Sequence, residues 1–265
     1  LHKEYRRQRQ MCIRDRSSIY FTIEMDSRSI LQRMCAIATG VPIRRLQQKN
    51  LYEKEWNRVA EWWAGRFENG NELLPRFYDD RNFDDFHSAL IKNPLHKDRQ
   101  LEVIYDPVLS LTRIRKELES KVSQTDVGVI IVDYINQVKR SNTPNKSGQY
   151  DWTEQIEVSK ALKSMAQEYE VPVFSPYQTD NTGEARFAKG ILDAADAAFT
   201  METWAPEDEC ITFNCTKMRA AKMEGFTSVM DWETLKIGPQ STMNPKDRDA
   251  IKDSLSTGED IHDAV

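Results

Sequence analysis

The sequence has few of the features that mark membrane, secreted or zinc-binding proteins. Its 265 residues contain no run of about 18 apolar residues, so no membrane-spanning helix is expected. The basic first residues are not followed by an apolar stretch, and we expect no secretory signal. Four cysteines and four histidines lie scattered without metal-ligand spacing, so free thiols in a reducing compartment, the cytoplasm, are predicted. The net charge of −5 argues against a broad nucleic-acid-binding surface but leaves room for local basic loops.

The first sixteen residues differ in composition from the rest of the chain. They carry six basic and two acidic side chains, and Arg6–Arg16 (RRQRQMCIRDR) has neither a helical nor a strand period. One interpretation is a basic arm that contacts phosphate. The other, which we favour, is foreign sequence, because the string resembles the translation of a transposon-based sequencing adapter. We therefore expect residues 1–16 to be non-native and the natural protein to extend upstream of Ser17.

Local patterns in the following residues predict strands that alternate with helices. Short apolar runs predict strands at Ile19–Ile23, Leu101–Tyr105, Val127–Val132 and Val171–Ser175. Apolar residues at helical spacing predict helices from Asp26 or Ser27 to Gly40, over Arg44–Gln48, Glu53–Gly65, Asp84–Ile91 and Ser110–Val122, and from Asp151 onwards. The almost continuous apolar run VGVIIV is typical of a central parallel strand that is buried on both faces.

The later part of the chain predicts antiparallel strands and a polar tail. Ala194–Met201 and Glu209–Lys217 have strand patterns, and Phe226–Trp232 follows a turn as the partner in a hairpin. The whole order predicts an α/β fold: a parallel sheet with helices on both faces and the hairpin as an antiparallel edge. Residues 17–239 would form this domain, and residues 240–265 a disordered acidic tail.

Three of the predicted strands are followed by polar side chains that could carry chemistry. Glu24 follows IYFTI, Asp133 follows VGVIIV, and Gln178 comes shortly after VPVFS. Each alone can also be an ordinary polar strand end, but the carboxyl ends of parallel strands meet at one crevice. Four apolar residues before an Asp form the Walker B pattern, in which the Asp organises the hydrated Mg²⁺ of a nucleotide. A nearby Glu can polarise an attacking water, and a neutral amide can hydrogen-bond the γ-phosphate.

The Gly-rich loop that would hold the phosphates is missing. No G-x-x-x-x-G-K-[ST] occurs in the sequence, and Lys146-Ser147 lacks both upstream glycines and a preceding strand. The chain as given is therefore not expected to hold a triphosphate in the usual way. We expect the loop to lie upstream of the strand that ends before Glu24, in a part that truncation has removed.

Five segments, taken in order, carry a family resemblance over about residues 19–237. They are IYFTIEMDSRSILQRM, VGVIIVDYINQV, EVSKALKSMAQEYEVPVFSPYQ, GILDAADAAFTM and TKMRAAKMEGF. The first resembles the strand–Glu–Met–helix segment of hexameric replicative DNA helicases of the DnaB type, and the second resembles their Walker B segment. The resemblance implies a RecA-like C-terminal motor domain of a phage or bacterial ring helicase, truncated at its N-terminal side.

The resemblance also implies roles for individual residues in ATP hydrolysis. Glu24 would be the catalytic base, Asp133 would organise Mg²⁺, and Gln178 would couple the γ-phosphate to a DNA-binding loop. Lys217 and Arg219 would reach the ATP site of the neighbouring subunit, with Arg219 as an arginine finger. Two cations there could stabilise charge on a transferring phosphate. Without the resemblance, Lys217 and Arg219 would be a solvated strand face.

Two polar loops would contact single-stranded DNA in the channel of the ring. The first loop, Lys139–Gln149, offers Lys139, Arg140 and Lys146, and the second, Gln178–Gly190, offers Arg186 and Lys189. Small basic loops that follow phosphates suit single-strand binding, although both could be plain solvated loops. The implied cofactors are ATP and Mg²⁺, and the implied partners are single-stranded DNA, further copies in a hexamer, a primase and a helicase loader.

The sequence departs from the family pattern at several positions, and other functions remain open. Tyr177 replaces a Ser, only Arg186 matches the family's backbone-binding motif, and Ala220 or Ala221 replaces a Gly after the finger residue. A RecA- or KaiC-like ATPase that assembles on DNA without unwinding it is one alternative. A non-enzymatic α/β scaffold that only oligomerises is another. The Trp-rich stretch Trp56–Trp63 is expected in a core or subunit contact rather than as a base-stacking platform.

Overall fold

The computed structural model describes residues 16–92, 101–140, 152–178, 188–203 and 209–241. The chain divides into two compact units. The first comprises Leu1–Leu31 and Tyr52–Ala194, and the second comprises Gln32–Leu51 and Ala195–Val265. None of the helices in the described ranges is both long and apolar enough to cross a membrane.

Five helices follow the first strand, strands and helices then alternate, and four strands end the described part of the chain. In chain order they are β1 (Ser17–Thr22), α1 (Ser27–Thr39), α2 (Ile43–Gln48), α3 (Glu53–Ala64), α4 (Gly70–Asp80), α5 (Phe83–Lys92), β2 (Leu101–Tyr105), α6 (Leu111–Val122), β3 (Val127–Asp133), a 3-10 turn (Ile135–Gln137), α7 (Trp152–Glu168), β4 (Val173–Phe174), α8 (Ala188–Ala194), β5 (Ala197–Thr203), β6 (Cys210–Met218), β7 (Phe226–Asp231) and β8 (Lys236–Ser241).

A four-stranded parallel sheet forms the centre of the first unit. Its strand order is β2-β1-β3-β4, and every pair is parallel. Side chains alternate across the sheet, so that Ile19 and Phe21 of β1 are fully buried while Tyr20 between them is half-buried. The buried face packs on α6 and α7 in one hydrophobic cluster, which includes Ile19, Phe21, Ile130, Val132, Ile114, Leu118, Val158, Leu162 and Met165. Because β1 and β3 pair in parallel, their carboxyl ends lie side by side at one edge of the sheet.

Strand β3 is less deeply buried than its sequence predicts. Ile130 and Val132 are buried, but Val129 and Ile131 on the other face are only half-buried. The prediction of a strand buried on both faces is therefore wrong for the described residues. An unbroken apolar run indicates that its residues can be buried, but it does not specify that other elements cover both faces of the strand.

Helices α3, α4 and α5 have an aromatic cluster of their own. It is built from Ala60, Ala64, Phe67, Phe77, Phe86 and Leu90, with Trp56 and Trp63 packed against it. The Trp-rich stretch thus belongs to a core, as the sequence predicts. Helix α4 is absent from the sequence-based assignment, because Gly70 and Pro75 within it are poor helix formers. Gly70 is needed there, since a Cβ would overlap the main-chain carbonyl of Ala64.

The second unit contains a separate antiparallel sheet with the order β5-β6-β7-β8. Phe213 and Phe226 stack across β6 and β7 at 4.6 Å between ring centroids, and the buried hydroxyls of Thr212 and Thr227 are 3.0 Å apart. The sequence predicts this hairpin as an edge of the parallel sheet; instead it pairs with β5 and β8. Strand β8 runs to Ser241, two residues into the predicted tail 240–265, and residues 242–265 lie outside the described residues.

Candidate functional site

Two of the predicted functional residues lie at adjacent strand ends of the parallel sheet. Thr22, the last residue of β1, pairs in register with Asp133, the last residue of β3. The Ile23 N–H donates to the Asp133 carbonyl oxygen at 3.1 Å, which extends the pairing past the strand end. Glu24 is the next residue and is exposed. The structure therefore brings the carboxylates of Glu24 and Asp133 to the same edge of the sheet.

Glu24 lies in a tight, well-defined turn between β1 and α1. The fully buried Thr22 donates its hydroxyl to the Met25 carbonyl oxygen at 2.7 Å and accepts from the Met25 N–H at 3.3 Å. Asp26 then begins α1 by accepting from the Ser29 N–H at 2.7 Å. The hydrogen bond from the Ser29 N–H stabilises the charged carboxylate and holds the pKa of Asp26 below its usual value. The turn fixes the main chain on both sides of Glu24 and leaves its side chain open to solvent.

Asp133 receives a hydrogen bond that sequence reasoning missed. The Tyr20 hydroxyl donates to Oδ2 of Asp133 at 2.8 Å, and both side chains are half-buried. Tyr20 precedes Thr22 by two residues, so it shares a sheet face with the residue that pairs with Asp133. Strand alternation alone could have placed Tyr20 on that face. The pairing register of β1 with β3, which the sequence does not contain, was needed to find its partner.

Gln178 lies beyond β4, in a segment that stays close to the end of β3. Ser175 Oγ donates to the Val132 carbonyl oxygen at 2.6 Å, and the side-chain amide of Asn136 contacts both main-chain polar groups of Gln178. Gln178 itself is exposed. The structure thus joins its main chain to the segment that follows Asp133. Asn136 is a further residue that the sequence analysis did not single out.

The structure describes only part of the two predicted DNA-binding loops. Lys139 and Arg140 are exposed, and Arg140 pairs with Glu157 of α7 at 2.9 Å while its N–H donates to Glu154 at 2.8 Å. The main chain of Lys139 is held on both sides by residues 109 and 111. Lys146 and Arg186 lie outside the described residues, as does the side chain of Lys189 at the start of α8.

The two predicted trans-acting cations lie in the second unit. Lys217 is in β6, and Arg219 follows the last residue of that strand, Met218, so the pair does not lie within one strand. The Arg219 guanidinium is 3.5 Å from the Asp196 carboxylate, and the main-chain N–H of Arg219 donates to the Asp196 carbonyl oxygen at 2.9 Å. Arg219 is 52% exposed. Its guanidinium is therefore within reach of solvent and is already paired with an acidic side chain.

The donor set at the sheet edge fits a hydrated Mg²⁺ better than a metal held by protein alone. Within the described ranges, no group of three or more His, Cys, Asp or Glu side chains could hold a metal ion. Mg²⁺ keeps several of its waters and is usually held by one or two carboxylates together with nucleotide phosphates. Asp133 supplies one carboxylate at the edge, oriented through Oδ2 by Tyr20. One carboxylate at the edge is what a hydrated Mg²⁺ bound to nucleotide phosphates would require of the protein.

A parallel sheet with helices packed against it and with acidic and amide groups at its carboxyl edge is typical of RecA-like domains. The model of the DnaB-like helicase C terminal domain family matches residues 6–190, which is more than half of the chain. The chain belongs to this family. The match begins inside the first sixteen residues and ends before β5, so Lys217 and Arg219 lie beyond it.

Curated relatives are replicative DNA helicases that are considerably longer. A probable replicative DNA helicase of Trieres chinensis is 24% identical over 172 residues, which cover 64% of this chain and 30% of that protein. The replicative DNA helicase DnaC of Bacillus subtilis (strain 168) is 22% identical, with 65% of this chain and 31% of the relative covered. The chain spans about a third of the length of these relatives.

Solved structures of helicase domains share the fold. The ATPase domain of G40P superposes with a TM-score of 0.58 at 14% identity, covering 87% of this chain and 76% of that one. A DnaB-like replicative helicase, studied with its interactions with primase, gives a TM-score of 0.57 at 13% identity, covering 87% of this chain and 52% of that one. These similarities confirm the RecA-like fold that the sequence predicts.

Proposed function

We propose that this chain is part of the motor of a replicative DNA helicase that hydrolyses ATP with Mg²⁺ and moves along single-stranded DNA as a hexameric ring. The observation that carries the proposal is the register of β1 with β3, which places Glu24 and Asp133 at neighbouring strand ends. Family membership supports it. A base and a metal-organising carboxylate at one sheet edge are what nucleotide hydrolysis requires.

Each side chain at the edge has a distinct task in this proposal. Glu24 is exposed on a fixed turn, so it can accept a proton from, and orient, an attacking water. Asp133, held by Tyr20, would hold the hydrated Mg²⁺, which neutralises charge on the β- and γ-phosphates when bound. The neutral amide of Gln178 would donate to the γ-phosphate without adding repulsive charge.

The remaining parts of the ATP site would come from elsewhere. Because the 265 residues contain no G-x-x-x-x-G-K-[ST] motif, we infer that an upstream phosphate loop completes the site. We also propose that residues 1–16 are adapter-derived, because Arg6–Arg16 resembles the translation of a sequencing adapter. Lys217 and Arg219 would be supplied by the neighbouring subunit. Arg219 would exchange the Asp196 carboxylate for phosphate oxygens, to which a guanidinium binds with similar geometry.

The DNA contacts are proposed for both basic loops. Lys139 and Arg140 are exposed at the start of the first loop, and Lys146, Arg186 and Lys189 complete the proposed set. Because these contacts would be to phosphates, DNA binding should weaken steeply as salt concentration rises. A primase and a helicase loader are the further partners proposed, in the cytoplasm of a bacterial or phage-infected cell.

A first experiment tests the catalytic base. The genomic region upstream of Ser17 is recovered, and a longer form of the protein is prepared with any Gly-Lys-Ser/Thr loop it encodes. We expect Glu24→Gln to reduce ATP turnover by at least about 100-fold, while nucleotide binding persists, because the amide cannot accept the proton of water. Turnover that survives this substitution contradicts the assignment of Glu24.

A second experiment tests the action of Arg219 across subunits. We expect Arg219→Ala to reduce ATPase activity in assembled rings by about 1,000-fold, in the range of arginine-finger losses. Mixing these subunits with Glu24→Gln subunits should restore part of the activity, because some interfaces then carry both intact residues. No recovery at any mixing ratio rules out the trans role. A strand-displacement assay separates a helicase from an ATPase that only assembles on DNA.

A further inference from the structure

The chain after β4 is attached to the end of β3 by hydrogen bonds rather than by strand pairing. Ser175 Oγ donates to the Val132 carbonyl oxygen at 2.6 Å, and the Ile135 N–H donates to the Pro176 carbonyl oxygen at 3.3 Å. Strand β4 is only two residues long. The position of Gln178, which follows this segment, is therefore set by contacts with residues 132–136.

Asn136 makes the two contacts that involve Gln178 directly. The Gln178 N–H donates to Oδ1 of Asn136 at 3.1 Å, and Nδ2 of Asn136 donates to the Gln178 carbonyl oxygen at 3.3 Å. The amide orientation is fixed by this pairing, because the flipped amide would face donor with donor and acceptor with acceptor. Both main-chain polar groups of Gln178 are thus engaged, and its side chain is the part that can respond to a ligand.

Asn136 lies in a turn that is anchored in the hydrophobic core. It lies in the middle of the 3-10 turn Ile135–Gln137, directly after β3 and Asp133. Ile135 and Val138, on either side of it, are buried in the hydrophobic cluster of the sheet, at 5% and 0% exposure. The Gln137 side chain is hydrogen-bonded to the Tyr134 hydroxyl. The turn that carries Asn136 is consequently anchored in the same core as β3.

We propose that Asn136 is a positioning residue that holds the main chain of Gln178, so that the Gln178 amide is presented at the carboxyl edge of the sheet. This inference rests on the proposed function, because it is the Gln178 side chain that would contact the γ-phosphate. Asn136 touches neither nucleotide nor DNA in this scheme. Its loss lets Gln178 sample other positions and lowers the fraction of sites with a productive contact.

The two hydrogen bonds between the Asn136 side chain and the Gln178 main chain can be tested on the chain itself by amide hydrogen exchange. Asn136→Ala should speed exchange of the Gln178 N–H by about fivefold, as expected for the loss of one net hydrogen bond. Asn136→Asp keeps an acceptor for this N–H and should retain most of the protection. Asn82→Ala is the matched control, because Asn82 also makes two side-chain hydrogen bonds, both to Asp85, at the start of α5. If exchange of the Gln178 N–H is unchanged in Asn136→Ala, Asn136 does not hold the main chain of Gln178.

The positioning role is tested by steady-state ATPase kinetics in a longer form of the protein that carries the phosphate loop. Asn136→Ala should lower kcat about fivefold to tenfold and leave the KM for ATP within about twofold. In a Gln178→Ala background it should lower kcat by less than about twofold further, because the two substitutions act on one contact. Asn82→Ala should keep the parent kcat.

The outcomes separate this inference from the proposed function. If kcat losses from Asn136→Ala and Gln178→Ala multiply, or if Asn136→Ala alone has no effect while Gln178→Ala does, the positioning role is wrong. If the parent protein with its phosphate loop shows no ATPase activity, the proposed function fails, while the exchange measurement still decides whether Asn136 holds Gln178. If Asn136→Ala does not fold, Asn136→Asp supplies the kinetic comparison, since it removes the donor to the Gln178 carbonyl oxygen.

Discussion

Replacing Tyr20 with Phe removes one oxygen atom from the edge of the parallel sheet and leaves the ring in place. The lost hydroxyl donates to Oδ2 of Asp133 at 2.8 Å, and both side chains are half-buried. Hydrogen bonds to charged groups contribute about 1.5–3 kcal/mol net. Because water can partly replace the donor at a half-buried site, we expect the free energy of unfolding to fall by about 1.5 kcal/mol, the low end of that range.

Urea denaturation measures this loss, and the melting temperature should fall with it by about 3–6 °C for a chain of this size. Tyr105→Phe is the matched control, since Tyr105 lies on the neighbouring strand β2 and is 46% exposed. A double-mutant cycle with Asp133→Asn should give a coupling energy of about 1 kcal/mol. If Tyr20→Phe is no less stable than Tyr105→Phe, or if the coupling energy is zero, the Tyr20–Asp133 hydrogen bond does not stabilise the fold.

Two further predictions concern the helices α3–α5. Burial holds the pKa of His87 below its ordinary 6.5, so the unfolded chain binds this proton at higher pH than the folded chain. Stability should therefore fall as pH drops from 6.5 through the folded pKa, and urea midpoints from pH 7.5 to 5.5 should show this slope in the parent but less of it in His87→Phe. Gly70→Ala should lower the free energy of unfolding by about 1–3 kcal/mol, because its Cβ overlaps the Ala64 carbonyl. Gly65→Ala, with its nearest contact at 3.3 Å, serves as the control, and equal stability of the two variants contradicts the overlap.

The parallel sheet and its edge could be predicted because their signals are local. Each of β1, β2 and β3 is a short apolar run, and Glu24 and Asp133 follow two of those runs directly. Helix α4 could not be predicted, since Gly70 and Pro75 oppose helix formation and only the packing against α3 makes Gly70 necessary. Local propensity is informative only where tertiary packing does not override it.

The polar contacts at the edge of the parallel sheet could not be predicted, for a different reason. They depend on pairs of residues that are far apart in the chain, such as Tyr20 with Asp133 and Asn136 with Gln178, separated by 113 and 42 residues. Strand patterns predict which residues face one way, but they do not specify which strand becomes the neighbour. In the order β5-β6-β7-β8 each strand pairs with the next one along the chain, and the patterns do not indicate that these strands form a sheet separate from β1–β4.

The aromatic cluster of α3–α5 and the cluster beneath the parallel sheet share no buried residue. Core substitutions act mainly on the side chains they touch, so changes in one cluster are nearly additive with changes in the other. Substitutions in the cluster of α3–α5, or a fluorescent label introduced there by design, are therefore expected to leave the geometry of Glu24 and Asp133 unchanged. A reporter placed there would monitor the folding of these helices while leaving the proposed site unchanged.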